Sequence, residues 1–101
     1  MVKSTAVNIA KRYIKQLPGE MDVKKAYLFG SYAKGSNRGD SDIDIAIVYG
    51  SKKDIFEVQM QLRRLRRKID LRIEPHPIME KDFSTLNPFA DEIMQFGIEL
   101  V

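Results

Sequence analysis

The chain has 101 residues, 17 lysines and arginines against 14 aspartates and glutamates, and a formal net charge of +3. This length predicts a single domain over residues 1–101 with a modest core. The absence of cysteine excludes disulfides and thiol chemistry. Residues 1–17 contain no uninterrupted apolar run, so we expect neither a signal peptide nor a membrane span, and a cytoplasmic protein.

The first predicted element is an amphipathic helix. Ser4 is a candidate N-cap, and Pro18 with Gly19 predicts the end of the helix. Its apolar residues share one stripe that can cover a sheet, namely Ala6, Ile9, Ala10, Tyr13, Ile14 and Leu17.

The next feature is a strand over residues 23–29, followed by a turn at Gly30 and Ser31 and a short helix that opens at 32–34. Free backbone N–H groups at such a turn can face an anion, and glycine lets a phosphate approach closely. Ser31 can donate its hydroxyl to a terminal phosphate, and Lys34 can add a positive charge. Taken alone, Gly30 and Ser31 fit an ordinary turn residue and a helix cap equally well.

Residues 41–48 predict a second strand, in which Asp42 and Asp44 alternate with isoleucines. A period of two places both carboxylates on one face and the isoleucines on the other. Two like charges about 4 Å apart repel by roughly 4 kcal/mol at an effective dielectric near 20, so a cation would stabilise the pair. Magnesium with nucleotide phosphates suits such oxygen ligands. The alternative is a pair of solubilising residues on an exposed strand.

The rest of the chain predicts two helices, two strands and one helical turn. In order they are a helix over 51–68, a strand over 69–74 that Pro75 and Pro77 break, a turn over 78–83, a helix from Asn87 to Gly97, and a short strand within 98–101.

Asp70 in the third predicted strand is a candidate third carboxylate for the metal site if this strand neighbours the second. It could instead pair with Arg72 or Arg67, and Glu74 is a weaker substitute on the same face. His76, without a cysteine nearby, indicates a structural or surface role.

Five basic residues between positions 63 and 68 form the main charged cluster of the chain. Such a run is typical of the solvated face of an amphipathic helix, or of a surface that docks an acidic partner. No aromatic residue interleaves with these side chains, so the sequence does not require nucleic-acid binding. The cluster comprises Arg63, Arg64, Arg66, Arg67 and Lys68.

Gly30-Ser31, ten intervening residues and Asp42-Ile43-Asp44 together resemble the signature of the polymerase-β-like nucleotidyltransferases. Asp70 suits the third carboxylate of that family. The small size and the ending NPFADEIMQFGIELV are similar to the minimal nucleotidyltransferases, which are often antitoxins paired with a HEPN-domain ribonuclease. The resemblance implies an α+β fold, a polymerase-β-like palm whose small mixed sheet is packed by helices.

The resemblance also implies transfer of AMP from ATP to a protein hydroxyl, such as a tyrosine of a cognate HEPN toxin. Asp42, Asp44 and Asp70 would then be catalytic and hold two Mg²⁺ ions, while Gly30, Ser31 and Lys34 would bind the phosphates. Because the chain has no room for a second nucleotide-clamping domain, we expect a protein partner. Two alternatives stay open: a non-catalytic antitoxin that acts by binding, and a nucleotidyltransferase for small molecules.

Overall fold

The computed structural model describes residues 1–101. Four helices and a four-stranded mixed sheet form an α+β architecture, as predicted. The elements are α1 (Lys3–Lys15), β1 (Val23–Phe29), α2 (Ser31–Lys34), β2 (Ile43–Tyr49), α3 (Ile55–Leu65), β3 (Ile73–Met79), α4 (Pro88–Phe96) and β4 (Ile98–Glu99). Short 3₁₀ turns follow α1, α3 and β3. No helix combines the length and the apolar character that crossing a membrane requires.

The sheet has the strand order β3-β2-β1-β4. β1 runs antiparallel to β2 and β4, whereas β2 and β3 run parallel. The parallel pair is joined through α3, which provides the long crossover that parallel strands require. β2 therefore lies between two neighbours, and its side chains are positioned from both sides.

One face of the sheet carries the larger core. Ile43, Ile45 and Ile47 are fully buried there beneath α1 and α3, which confirms the predicted isoleucine face. Tyr13 of α1 joins the two helices, because its buried hydroxyl donates to the carbonyl oxygen of Leu62 in α3 at 2.6 Å. Burial raises the pKa of this tyrosine well above its ordinary value.

The opposite face carries a smaller core under α4. Tyr27, Ala46, Ile78 and Ile93 are buried in this cluster, and Phe29 packs at its margin. α4 begins at the N-cap Asn87, whose side chain accepts from the backbone N–H groups of two residues in the first turn, and it ends at Gly97, as predicted. The strand predicted within 98–101 is confirmed as β4.

Several predicted boundaries need correction. Val2, not Ser4, is the N-cap of α1, because the helix already begins at Lys3. β2 begins at Ile43 rather than at residue 41. α3 begins only after Asp54, whose carboxylate accepts from the N–H of Phe56, and gives way to a 3₁₀ turn at 66–68. The helical turn predicted over 78–83 covers only 80–82.

The third strand was predicted over 69–74 with Pro75 and Pro77 as breakers, and this prediction is wrong. β3 runs from Ile73 to Met79 and contains both prolines. β3 is an edge strand, in which alternate residues direct their backbone groups away from β2, so proline loses no ladder hydrogen bond at these positions. The outward carbonyls of Ile73 and Pro75 accept instead from Arg66 and Gln59.

Candidate functional site

The turn between β1 and α2 lies directly against a carboxylate of β2. Gly30 has a φ of +76°, a conformation that L side chains rarely adopt. A Cβ at this position would lie 2.5 Å from Oδ2 of Asp44. The predicted phosphate turn therefore needs glycine for two reasons, its backbone angle and the approach of Asp44. Ser31 follows as the first residue of α2.

Asp44 is the centre of the site. In the sheet register its Cα pairs with Phe29 on β1 and with Glu74 on β3. Oδ1 of Asp44 lies 3.1 Å from Nε2 of His76, and the side chain of Asp44 is 27% exposed. Asp42 lies one residue before β2 and is exposed. The structure thus places Asp44 at the second position of β2 and Asp42 immediately before the strand.

Asp70 precedes β3 rather than lying in it, and the residue of β3 that pairs with Asp44 is Glu74. Arg72 holds both of its carboxylate oxygens: Nη2 lies 2.6 Å from Oδ2, and Nε lies 3.0 Å from Oδ1. The Arg72 side-chain hydrogen bonds hold the pKa of Asp70 below its ordinary value, against the opposing effect of burial. This is the pairing with Arg72 that the sequence left open as an alternative.

Glu74 lies on the same face of the sheet as Asp44, since paired residues of parallel strands project to the same side. Its Oε2 lies 3.4 Å from Nη1 of Arg63, and its Oε1 lies 3.3 Å from Nη1 of Arg66. Two members of the basic cluster therefore bind Glu74 at the edge of β3. The structure gathers no group of three acidic, histidine or cysteine side chains close enough to hold a metal ion.

Lys34 turns toward α4. Its Nζ lies 2.8 Å from Oε1 of Glu92 and 6.0 Å from the ring centroid of Phe96. No local sequence pattern predicts this contact, because the two residues are 58 positions apart.

His76 is the site residue that sequence reasoning missed. Its ring packs edge-on against Phe29 at 4.9 Å between centroids and lies near Phe89 at 6.2 Å. The period of two would have placed His76 beside Asp44 if β3 had been extended through its prolines. The available signal was thus the alternation of Glu74, His76 and Ile78.

Asp42 and Asp44 fit a hard divalent cation as oxygen donors, because carboxylates are the ligands that Mg²⁺ prefers. Gly30 leaves Oδ2 of Asp44 room that a larger residue would fill. Asp70 or Glu74 could become a third carboxylate ligand only after leaving its arginine partners.

The fold and this site define a class of protein. Residues 11–100 match the family model described as polymerase beta, nucleotidyltransferase, and the chain belongs to this family of nucleotidyltransferases. The chain is 30% identical over 99 residues to putative protein adenylyltransferase MJ0141 of Methanocaldococcus jannaschii, a match covering 93% of this chain and 97% of the relative. Putative protein adenylyltransferase MJ1215 of the same organism is 36% identical over 67 residues, a match covering 62% of this chain and 78% of the relative.

Solved structures show the same fold. A putative nucleotidyltransferase from Sulfolobus solfataricus superimposes with a TM-score of 0.62 at 23% identity, covering 79% of this chain and 72% of the other. A toxin-antitoxin structure with AMP-PNP gives a TM-score of 0.64 at 24% identity, with 94% and 72% covered. The toxin-antitoxin structure MntA-HepT gives 0.57 at 20% identity, with 97% and 71% covered.

Proposed function

We propose that this chain transfers AMP from ATP to a hydroxyl group of a partner protein in a Mg²⁺-dependent reaction, and that the partner is a HEPN-type toxin which the modification silences. The names of the Methanocaldococcus relatives support protein adenylylation. The toxin-antitoxin neighbours, one of them with the ATP analogue AMP-PNP, support the partner and the donor. A tyrosine is the proposed acceptor, as the resemblance implies.

The close approach of the Asp44 carboxylate to the Gly30 turn is the observation that carries this proposal. It places a turn suited to phosphate so close to a carboxylate suited to a cation that even a Cβ at Gly30 would lie 2.5 Å from Oδ2 of Asp44. An ordinary turn would not need such an approach. A triphosphate placed over Gly30 and Ser31 would have its α-phosphate beside Asp44. Transfer at phosphorus depends on such positioning of the reacting atom next to a group that can hold a cation.

The proposed transfer is a direct attack on phosphorus, with no covalent intermediate on this chain. The acceptor oxygen forms a bond to the α-phosphorus of ATP, the bond from that phosphorus to the bridging oxygen breaks, and pyrophosphate leaves with the electron pair. Gly30 and Ser31 would bind the leaving phosphates, and Asp42 and Asp44 would hold the cation. Bound Mg²⁺ would neutralise charge on the phosphates.

We assign the remaining role, removal of the hydroxyl proton, to Glu74 rather than to Asp70. Glu74 shares the register position and the sheet face of Asp44, whereas Asp70 lies outside the strand and is held by Arg72. The acceptor proton would pass to the Glu74 carboxylate as the new bond forms. Arg63 and Arg66 would have to release this carboxylate, at least in part, when the substrates bind.

The test is incubation with α-labelled ATP, Mg²⁺ and the protein encoded beside this chain's gene. We expect label on that protein and, by mass spectrometry, a mass increase of one AMP on a tyrosine. Gly30→Ala should abolish labelling, whereas Gly39→Ala should not, because a Cβ at Gly39 meets nothing within 4 Å. Equal labelling by the two variants would contradict the proposed role of the Gly30 turn.

The second candidate function is a non-catalytic antitoxin that acts by binding. It is favoured by one observation: arginines already occupy the oxygens of both Asp70 and Glu74, so no third carboxylate is free. A comparison of ribonuclease inhibition with and without ATP separates the two functions. Full inhibition by Asp44→Asn in the absence of ATP would support the binding mechanism.

A further inference from the structure

A cavity of about 140 Å³ lies between α2 and α4 at the end of β1. Phe29 and Ile93 contribute apolar lining, as do Ala33 of α2 and Phe96 of α4. A closed apolar cavity of roughly 150 Å³ accepts a benzene-sized ring. This cavity is partly open, so it suits a planar ring that extends toward its mouth.

The cavity adjoins the candidate site through a shared residue. Gly30 lines the cavity, and a Cβ added to it would lie 2.5 Å from Oδ2 of Asp44. A ligand with phosphates over the Gly30 turn therefore has a planar slot within reach of the same turn. The larger recess along Phe56 and Met60 lies on α3, which packs on the opposite face of the sheet from Asp44, and it has no such connection.

The cavity also carries a pair of hydrogen-bonding groups at its rim. Glu92 offers carboxylate oxygens as acceptors, and Lys34 offers an ammonium group as a donor. The two groups lie 2.8 Å apart and are each about half exposed, so a ligand can exchange for part of their mutual contact. Phe96 lies beside the Lys34 ammonium and presents a ring for stacking.

We propose that this cavity is the nucleobase site of the donor nucleotide and that Lys34 and Glu92 at its rim read the edge of the base. The inference rests on the proposed function, because it assumes a nucleoside triphosphate as donor. The edge of a nucleobase places a hydrogen-bond donor next to an acceptor, in opposite order for adenine and guanine, and a carboxylate beside an ammonium group can pair with such an edge. Lys34 thus reads the base together with Glu92 instead of binding phosphate.

The test measures binding rather than turnover. Calorimetry with Mg²⁺ would compare ATP, GTP, UTP and inorganic tripolyphosphate on wild type, Ala33→Leu and Glu92→Gln. Ala33→Leu fills the slot and should weaken all three nucleotides about tenfold while leaving tripolyphosphate unchanged. Glu92→Gln should change the ratio of ATP to GTP affinity about fivefold or more, because it replaces an acceptor by a donor.

Gln95→Ala, on an exposed part of α4, is the matched control and should change none of these affinities. Glu92→Gln keeps the proposal testable if Ala33→Leu fails to fold. Equal weakening of ATP and tripolyphosphate by Ala33→Leu, or unchanged ratios in both variants, would overturn the nucleobase site and leave the proposed function standing. If wild type binds neither ATP nor tripolyphosphate, both proposals fail together.

Discussion

Ile45 and Asp44 are neighbours in β2, yet their side chains enter two different environments. Ile45 is fully buried beneath the helices, and Asp44 lies on the partly open face beside His76 and Glu74. The buried face excludes water and fixes the strand, so it supplies stability. The open face holds three polar side chains within two strands. This contrast shows how a small sheet can separate the residues that stabilise it from those suited to chemistry.

The largest expected effect is on the open face. Asp44→Asn keeps the shape of the side chain but removes a charged ligand, so the rate of transfer should fall about a thousandfold or more. The free energy of unfolding should stay nearly constant, which urea denaturation can check. Magnesium-dependent turnover at the wild-type rate would remove Asp44 from the site.

The opposite response is expected on the buried face. Ile45→Ala leaves a cavity and should lower the free energy of unfolding by about 2–5 kcal/mol. At a temperature where the variant remains folded, ATP affinity should stay close to that of wild type. A large loss of ATP affinity in a folded Ile45→Ala protein would show that the two faces are not separate.

Glu74→Gln and Asp70→Asn sharpen the comparison within the acidic residues. If Glu74 accepts the hydroxyl proton, its amide variant should slow transfer about a hundredfold. Asp70→Asn should change the rate by less than about twofold, because Asp70 lies outside β3. The reverse pattern in labelling assays would restore Asp70 as the third carboxylate.

Asp70 should instead contribute to stability in a pH-dependent way. Its pKa is lowered from the ordinary 3.8, so its contribution is complete above that value and is lost as the pH falls through the lowered pKa. Asp70→Asn should cost about 1 kcal/mol at neutral pH and progressively less in acid. Asp40→Asn, at an exposed position, is the control and should show no such trend.

The smallest expected effect concerns Ser31. Ser31→Ala deletes one neutral hydroxyl and should weaken ATP about two- to tenfold, with metal binding unchanged. Calorimetry can compare the two proteins directly. Equal ATP affinity would reduce Ser31 to the first residue of α2.

The sequence predicted β1, the isoleucine face and the helix ending at Gly97, because each depends on local alternation or on a local breaker. The turn at Gly30 and the alternation of Asp42 and Asp44 with isoleucines are likewise local features of the sequence. Local rules failed at β3, where position at the edge of the sheet made two prolines acceptable. Because the predicted strand began and ended too early, Asp70 was assigned to it and His76 was left out. The contact of Lys34 with Glu92 depends on where α4 packs, which no local pattern encodes.

Pro75 and Pro77 also limit how copies of this molecule can associate. An exposed strand edge with free N–H and C=O groups is a template for another chain, and proteins block such edges to prevent aggregation. Two prolines lack N–H donors, and the carbonyls of Ile73 and Pro75 are already engaged by Arg66 and Gln59. The β3 edge therefore cannot be extended by backbone pairing, and any intermolecular sheet would have to grow from the β4 side.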